Sequence, residues 1–403
     1  MKKRIVITGL GVESSLGDEI EDFWSALIRG VSGISEISSF DTSAVRNHYG
    51  GEIKNFNDHS ILKEAERKVY GRATQFAIVA AKKAIDDAKF ENLPNLNTKI
   101  GVIIGTTFGE AQIVEQATRH LIEGYKDGKS SLYYLKQYNP DSVSVNVARK
   151  FGFCGPNLVI PTACAAGNYA IAYGAELIAM GRAQVVIAGG SDPFSHVSFS
   201  GFSRLGVMAN EKCQPFDKNR KGMLVGEGAG IVVLEEHDTA KARGANVYCE
   251  LLGYGLSCDA SHMTIPEVIG ITAVMEKAIR SSGISYRDVN YICAHGTGTA
   301  INDKTESQAI RKIFYKKGHI VPVSSIKSML GHTMGAASAI ETIASTLAIY
   351  RSEIPPTVNF ETKDPECDID CVPNESRRQK VNVVLNNAFA FGGNNACLVL
   401  GRC

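Results

Sequence analysis

One pattern occurs twice in this chain and constrains the fold more than any single motif. In the first half, Ala81-Lys82-Lys83-Ala84-Ile85-Asp86-Asp87-Ala88 leads through a loop to the apolar run Ile100-Gly101-Val102-Ile103-Ile104-Gly105 and a Thr106-Thr107 turn. In the second half, Met275-Glu276-Lys277-Ala278-Ile279-Arg280 leads to Val289-Asn290-Tyr291-Ile292-Cys293-Ala294 and the turn His295-Gly296-Thr297-Gly298-Thr299. A further echo follows. The small-residue helix after Cys164 leads to a strand over 183–190, and Gly331-His332-Thr333-Met334-Gly335-Ala336-Ala337-Ser338-Ala339 opens another such helix, running to about residue 350. These strands lack polar alternation, the mark of burial on both faces. Helices must therefore cover both sides of the sheet. The expectation is an α/β protein built from one βαβ-rich unit used twice, with halves at residues 1–245 and 246–403.

Other elements fill the frame. Strands are expected over 4–10, 230–235, 248–256 and 321–326, and helices over 19–29, 63–89, 111–123 and 143–150. Residues 30–60 and 193–228 read as loop-rich. Gly9-Leu10-Gly11 follows the first strand, but the next glycine is Gly17, so the dinucleotide fingerprint fails.

Composition excludes several function classes. The formal net charge of +1 gives no global field to draw nucleic acid or a membrane surface. No apolar run approaches the roughly 18 residues of a membrane span. The apolar run after Met1-Lys2-Lys3-Arg4 is too short for a signal peptide. The ten cysteines have no paired spacing, which suits free thiols in a reducing cytoplasm.

The chemistry-bearing residues sit at glycine-rich turns. Cys164, in Pro161-Thr162-Ala163-Cys164-Ala165-Ala166-Gly167, lies where a strand meets a helix. Free N–H groups and the helix dipole there favour the thiolate, the nucleophilic form. His295 closes a buried strand, and His332 stands at the start of the second small-residue helix with Lys327 five residues before it. Asp303 and Glu306 share one face of a helix after His295. Phe389-Ala390-Phe391-Gly392-Gly393-Asn394-Asn395 is a glycine turn with two aromatics. Zinc sites usually show close ligand pairs, and none is present, so no metal is expected. A Cys–His hydrolase needs one base, whereas two imidazoles can both donate to a single thioester carbonyl and stabilise an enolate. That arrangement suits carbon–carbon bond formation better than attack by water.

Taken together, Thr-Ala-Cys164-Ala-Ala-Gly, His295-Gly-Thr-Gly-Thr, Lys327 with His332 in Ile-Lys-Ser-Met-Leu-Gly-His-Thr-Met-Gly-Ala-Ala, and Phe391 in Ala-Phe-Gly-Gly-Asn-Asn resemble the elongating β-ketoacyl-[acyl-carrier-protein] synthases. The resemblance spans essentially the whole chain. It implies a thiolase fold, two halves in a five-layered αβαβα arrangement, the nucleophile in the first half and the histidines in the second. It also implies a dimer working without a cofactor, since phosphopantetheine arrives on the carrier protein.

The implied reaction is a decarboxylative Claisen condensation. Cys164 carries the acyl group, His295 and His332 bind the malonyl thioester, and Lys327 and Glu306 order the histidines, with Asp303 behind them. Backbone N–H groups of Cys164 and Phe391 form the oxyanion hole, and Phe391 also gates. Thr297 and Thr299 meet the phosphopantetheine arm; Phe108, Phe202, Phe389, Gly392 and Gly393 line the substrate channel. Arg67, Lys68 and Arg204 are the expected docking residues for acyl carrier protein. Ala166, Gly298 and the stretch around Gly201-Phe202-Ser203-Arg204-Leu205-Gly206 depart from the fatty-acid pattern and lean towards a dissociated (type II) polyketide system. Housekeeping fatty-acid elongation is the alternative, with a thiolase-fold acyltransferase more remote. Phe108, where the family's acyl pocket is lined, implies a short or unusual acyl chain, an unsaturated one for example. The partner is a second copy or a homologous chain-length-factor subunit, with no nucleic acid and no membrane.

Overall fold

The computed structural model describes residues 3–403 except 57, 59–60, 90–98, 124–133, 135–137 and 140; the expected loop before residue 100 lies outside the described residues. The first half supplies β1 (Ile5–Glu13), α1 (Arg72–Ala88), β2 (Ile100–Gly105), α2 (Ser142–Phe151), β3 (Asn157–Ile160), α3 (Ala166–Ala179), β4 (Val185–Asp192), α4 (His196–Arg204) and β5 (Gly228–Glu236). The second supplies β6 (Cys249–Cys258), α5 (Val268–Ser282), β7 (Tyr291–Cys293), α6 (Ala300–Ile313), β8 (Val323–Ser324), α7 (Ala337–Arg351), β9 (Val383–Phe389) and β10 (Asn394–Gly401).

The ten strands form one sheet in the order β8-β7-β9-β10-β6-β1-β5-β4-β2-β3. Numbered within its own half, each set of five strands runs 3-2-4-5-1. The first two neighbour pairs are parallel and the last two antiparallel in both halves. The arrays meet where Ile5, Val6 and Ile7 pair antiparallel with Leu251, Glu250 and Cys249.

Side-chain alternation builds the layers. Ile100, Val102, Ile104, Ile231 and Val233 face outward onto α1 and α2. Ile103, Val186, Val232 and Leu234 face inward, with Val384, Leu398 and Leu400 of the second array, onto α3 and α7. Ile292, Leu385, Cys397 and Val399 face α5 and α6. The five layers αβαβα result, with the central pair α3 and α7 buried between the two arrays.

Four expectations need correction. The helix expected over 63–89 breaks into Glu64–Val69 and α1. At the break, Glu110 accepts the Thr74 N–H at 2.8 Å, and a Cβ on Gly71 would lie 1.9 Å from the Glu110 carboxylate. The loop-rich region 193–228 contains α4, whose start is capped by Ser195 accepting the Ser198 N–H. The strand expected over 321–326 is only Val323–Ser324, because Lys327 opens a one-turn helix to Leu330. His332 precedes its helix: a 3-10 turn, Met334–Ala336, intervenes before α7.

The cysteine helix is held tightly against the sheet. A Cβ on Gly105 would lie 2.3 Å from the Ala166 carbonyl carbon at the first turn of α3. Gly105→Ala is therefore expected to lose about 1–3 kcal/mol through overpacking, read as a lower midpoint in chemical denaturation; an unchanged midpoint would show that α3 yields.

Candidate active site

β3 delivers the chain to Thr162, and Ala163 then takes a left-handed φ of 48° before the 3-10 turn that carries Cys164 into α3. Such a φ is uncommon for a residue with a side chain. From the other half, β7 delivers His295 into the loop that precedes α6. The sulfur and one ring nitrogen from each of His295 and His332 lie within 4.8 Å of one another. The two imidazoles meet edge to face, centroids 5.4 Å apart at 83°, and Phe389 packs on His295 at 5.8 Å.

The three groups sit at the wall of a cavity of about 400 Å³. Phe202, Phe389, Phe391, Thr297, Thr299 and Gly393 also line it, as expected. Gly392 and Gly393 take left-handed φ of 84° and 78° in the turn, where Gly392 donates to the Met263 carbonyl. Phe108 lies behind the cavity rather than on it. Its ring is 6.3 Å from Phe202, which is 6.2 Å from Phe391, so three aromatics form a row leading inward.

Charge organises the histidines. Lys327 and Glu341 form an ion pair, each about 1% exposed. Burial, reinforced by the Lys327 charge, holds both histidines well below the usual imidazole range. The Met334 N–H donates to His332 Nδ1 at 3.2 Å, so the neutral ring carries its proton on Nε2 and is a donor there. His295 Nδ1 is buried without a partner. Burial pushes the Glu341 and Glu306 carboxyls up to about 7.

Glu306 does not touch either ring. Its carboxylate accepts the backbone N–H groups of His295 (3.0 Å) and Gly296 (2.9 Å). Asp303 does the same for Gly298 (3.2 Å) and Phe216 (2.8 Å). Both acids thus fix the loop rather than the imidazole. Thr297 and Thr299 bond each other through their hydroxyls at 2.9 Å.

The thiol departs from expectation. Burial pushes Cys164 up to about 12; the Lys327 charge and the backbone N–H groups of Phe391 and Cys164 act the other way without offsetting it. The Cys164 sulfur and the two ring nitrogens also have the spacing of metal ligands.

The docking residues behave differently from one another. Arg67 is tied inward, to the Leu62 carbonyl and to Asp58 at 3.2 Å. Lys68 is exposed and pairs with Glu64 at 2.6 Å. Arg204 is exposed at the last turn of α4, two residues from Gly206 on the cavity.

Sequence reasoning missed Glu341, Asp192 and Arg220. Glu341 is the one acid in the apolar run of α7, and a charge there calls for a partner. Arg220, on the cavity, donates to the Thr299 and Ala300 carbonyls and pairs with Asp364 at 2.5 Å.

Comparison with known proteins follows the geometry. Residues 2–240 match the family model "Beta-ketoacyl synthase, N-terminal domain", and residues 248–361 match "Beta-ketoacyl synthase, C-terminal domain". The 3-oxoacyl-[acyl-carrier-protein] synthase 2 of Staphylococcus aureus (strain COL) is 40% identical over 410 aligned positions, 99% of this chain and 98% of that protein. The protein of the same name from Synechocystis is 40% identical over 412 positions, 100% of this chain and 98% of that one. Among solved structures, the ishigamide ketosynthase/chain length factor superposes with a TM-score of 0.96 at 39% identity, covering all of both chains. A type II polyketide ketosynthase bound to a hexaketide, in complex with its acyl carrier protein, superposes with 0.92 at 32% identity, again covering both chains fully.

The depressed histidines set a sign. Folding stability from rings held neutral is complete above pH 6.5 and is lost as pH falls below it. Ring NMR is expected to show His295 and His332 still neutral at pH 6.5; half-protonation at that pH would contradict the assignment.

Proposed function

The chain belongs to the β-ketoacyl synthase family, and from that premise we propose that it elongates an acyl chain by two carbons in a dissociated system, by decarboxylative Claisen condensation. The observation that carries this reading is the meeting of one thiol and two neutral imidazoles within 4.8 Å, on a cavity of about 400 Å³.

The steps use the groups as they stand. The Cys164 thiol attacks the acyl thioester of the carrier protein; a carbon–sulfur bond forms, the carrier sulfur leaves, and the thiol proton passes to it. The malonyl thioester then enters, and its carbonyl oxygen takes the His332 Nε2–H and a bond from His295. Loss of CO2 leaves an enolate whose oxygen these donors stabilise. The enolate carbon attacks the acyl-Cys164 carbonyl, and the developing oxyanion meets the N–H groups of Cys164 and Phe391. Collapse expels the Cys164 sulfur as a thiolate, which takes a proton from solvent, burial favouring the thiol. Decarboxylation drives the sequence, so no cofactor is invoked beyond the phosphopantetheine on the carrier protein.

Lys68 and Arg204 offer exposed positive charge to an acidic carrier protein, whereas Arg67 shapes the site of contact from beneath. β3 is the last strand of the sheet, pairs only with β2 among the described residues, and leads directly to the Cys164 turn. An open edge of this kind suits a second copy of the chain or a homologous chain-length-factor subunit. The aromatic row Phe391, Phe202 and Phe108 favours a short or unsaturated chain, on the polyketide side of the pathway question. The 40% identity to 3-oxoacyl synthases supports fatty-acid elongation as the second reading. No helix of the described residues is long and apolar enough to cross a membrane, and all ten cysteines are free, which supports a cytoplasmic location.

Two measurements test the reading. With defined acyl- and malonyl-carrier proteins and products weighed by mass spectrometry, Cys164→Ala is expected to lower condensation by at least about a thousandfold; retained condensation refutes the nucleophile. Phe108→Ala is expected to raise the preference for longer saturated acyl chains by roughly tenfold, the scale of a methylene-sized pocket change. An unaltered chain-length profile would remove Phe108 from the acyl pocket.

A further inference from the structure

Asp192 closes β4 and is fully buried, yet no cation faces its carboxylate among the described residues. Four donors hold it instead. Oδ1 accepts the Thr106 hydroxyl (2.7 Å) and the Phe108 N–H (2.9 Å). Oδ2 accepts the Thr107 N–H (2.7 Å) and the Gly335 N–H (2.6 Å). Two separate turns are therefore tied to one carboxylate. The first, 106–108, ends in Phe108 at the inner end of the aromatic row. The second, Met334–Ala336, holds His332 through the Met334 N–H on Nδ1. The Met334 side chain adds a second link, since it lines the cavity and packs in the cluster that includes Phe108 and Phe202.

We propose that Asp192 is a positioning residue that couples the Phe108 turn to the His332 turn, so that an acyl chain lodged against Phe108 alters the malonyl step at His332. This rests on the condensation reading above. The physical reason is that charge-assisted bonds to two turns cannot both be kept if one turn shifts alone. Displacing Phe108 pulls its N–H against Oδ1. The carboxylate then turns as a rigid group and carries the Gly335 N–H, one residue from Met334, with it. His332 Nδ1 follows the Met334 N–H, and the Nε2 donor changes its aim at the thioester oxygen. A carboxylate serving only to stabilise the fold needs neither connection to the aromatic row nor to the imidazole.

The test compares one enzyme in two states. CO2 release from malonyl-carrier protein is measured in single turnover, with Cys164 free and with Cys164 loaded by a medium-chain acyl thioester. Wild type is expected to release CO2 roughly tenfold faster when loaded, and in Asp192→Asn that ratio is expected to fall to within about twofold of one, as for loss of a typical coupling between sites. The asparagine amide turns N–H groups against N–H donors and breaks the tie without changing size. Should that variant fail to fold by thermal melting, Thr106→Val removes one donor and is expected to lower the ratio partially. A purely structural role would slow both states alike and leave the ratio unchanged, which overturns the proposal, as does a wild-type ratio of one. Absence of CO2 release from wild type in either state would instead overturn the condensation reading, and this inference with it.

Discussion

The buried pair of Lys327 and Glu341 sets the electrostatics on which the site depends. The Lys327 charge acts on Cys164, His295 and His332 alike. It reinforces the burial that holds both imidazoles neutral, and it favours the sulfur anion when that anion must form. A bare ammonium there would be costly to bury, and Glu341 makes it tolerable. Lys327 opens the turn that leads to His332, and Glu341 lies on the helix that follows it. A single stretch of chain thus supplies a donor, a charge that helps burial keep the donor neutral, and the acid that makes the charge tolerable to bury.

Duplication explains how one such site arises from two similar halves. Thr162-Ala163-Cys164-Ala165-Ala166 and Thr333-Met334-Gly335-Ala336-Ala337 adopt the same turn, with Ala163 and Met334 both left-handed (φ 48° and 52°) and helices starting three residues later. Cys164 therefore corresponds to Gly335. At one helix start the N–H groups face a sulfur; at the other, Gly335 N–H faces the Asp192 carboxylate. The second copy has kept the anion-binding geometry and holds there an acid supplied by the first half. By strand register His295 corresponds to Gly105, one residue before Thr106, and each of these turns is clamped by a buried carboxylate.

The sequence displays Cys164, His295, His332 and Lys327 openly because each follows an apolar strand in a glycine-rich turn, where a polar residue has few structural reasons to be. The sheet was legible for the same reason: strands apolar on both faces demand helices on both sides. What stayed hidden is what distant segments do to one another. Asp192 meets Gly335 across 143 residues, and Glu110 meets Thr74 across 36, breaking a helix that local periodicity joins. α4 was hidden by its serine and glycine content, though Phe199 anchors it in the core. The direction of the Cys164 shift was hidden because burial is a tertiary property. The local signal, a helix start, points one way, and the surrounding side chains point the other.

Four buried acids, Asp192, Asp303, Glu306 and Glu341, surround a reaction that uses none of them as an acid. Three grip backbone N–H groups and one grips a lysine, and burial raises the pKa of each. Desolvating them weakens the fold, so their presence calls for a reason other than stability. The reason is rigidity. Enolate and oxyanion stabilisation requires donors already aimed at charge that does not yet exist, and loops of glycine and threonine do not hold aim by themselves. Carboxylates bonded to successive N–H groups remove that freedom at the turns bearing His295 and Phe108, while Lys327 and Glu341 lock the segment bearing His332. The glycines give the substrate arm room to approach, and the acids restore the stiffness the glycines take away.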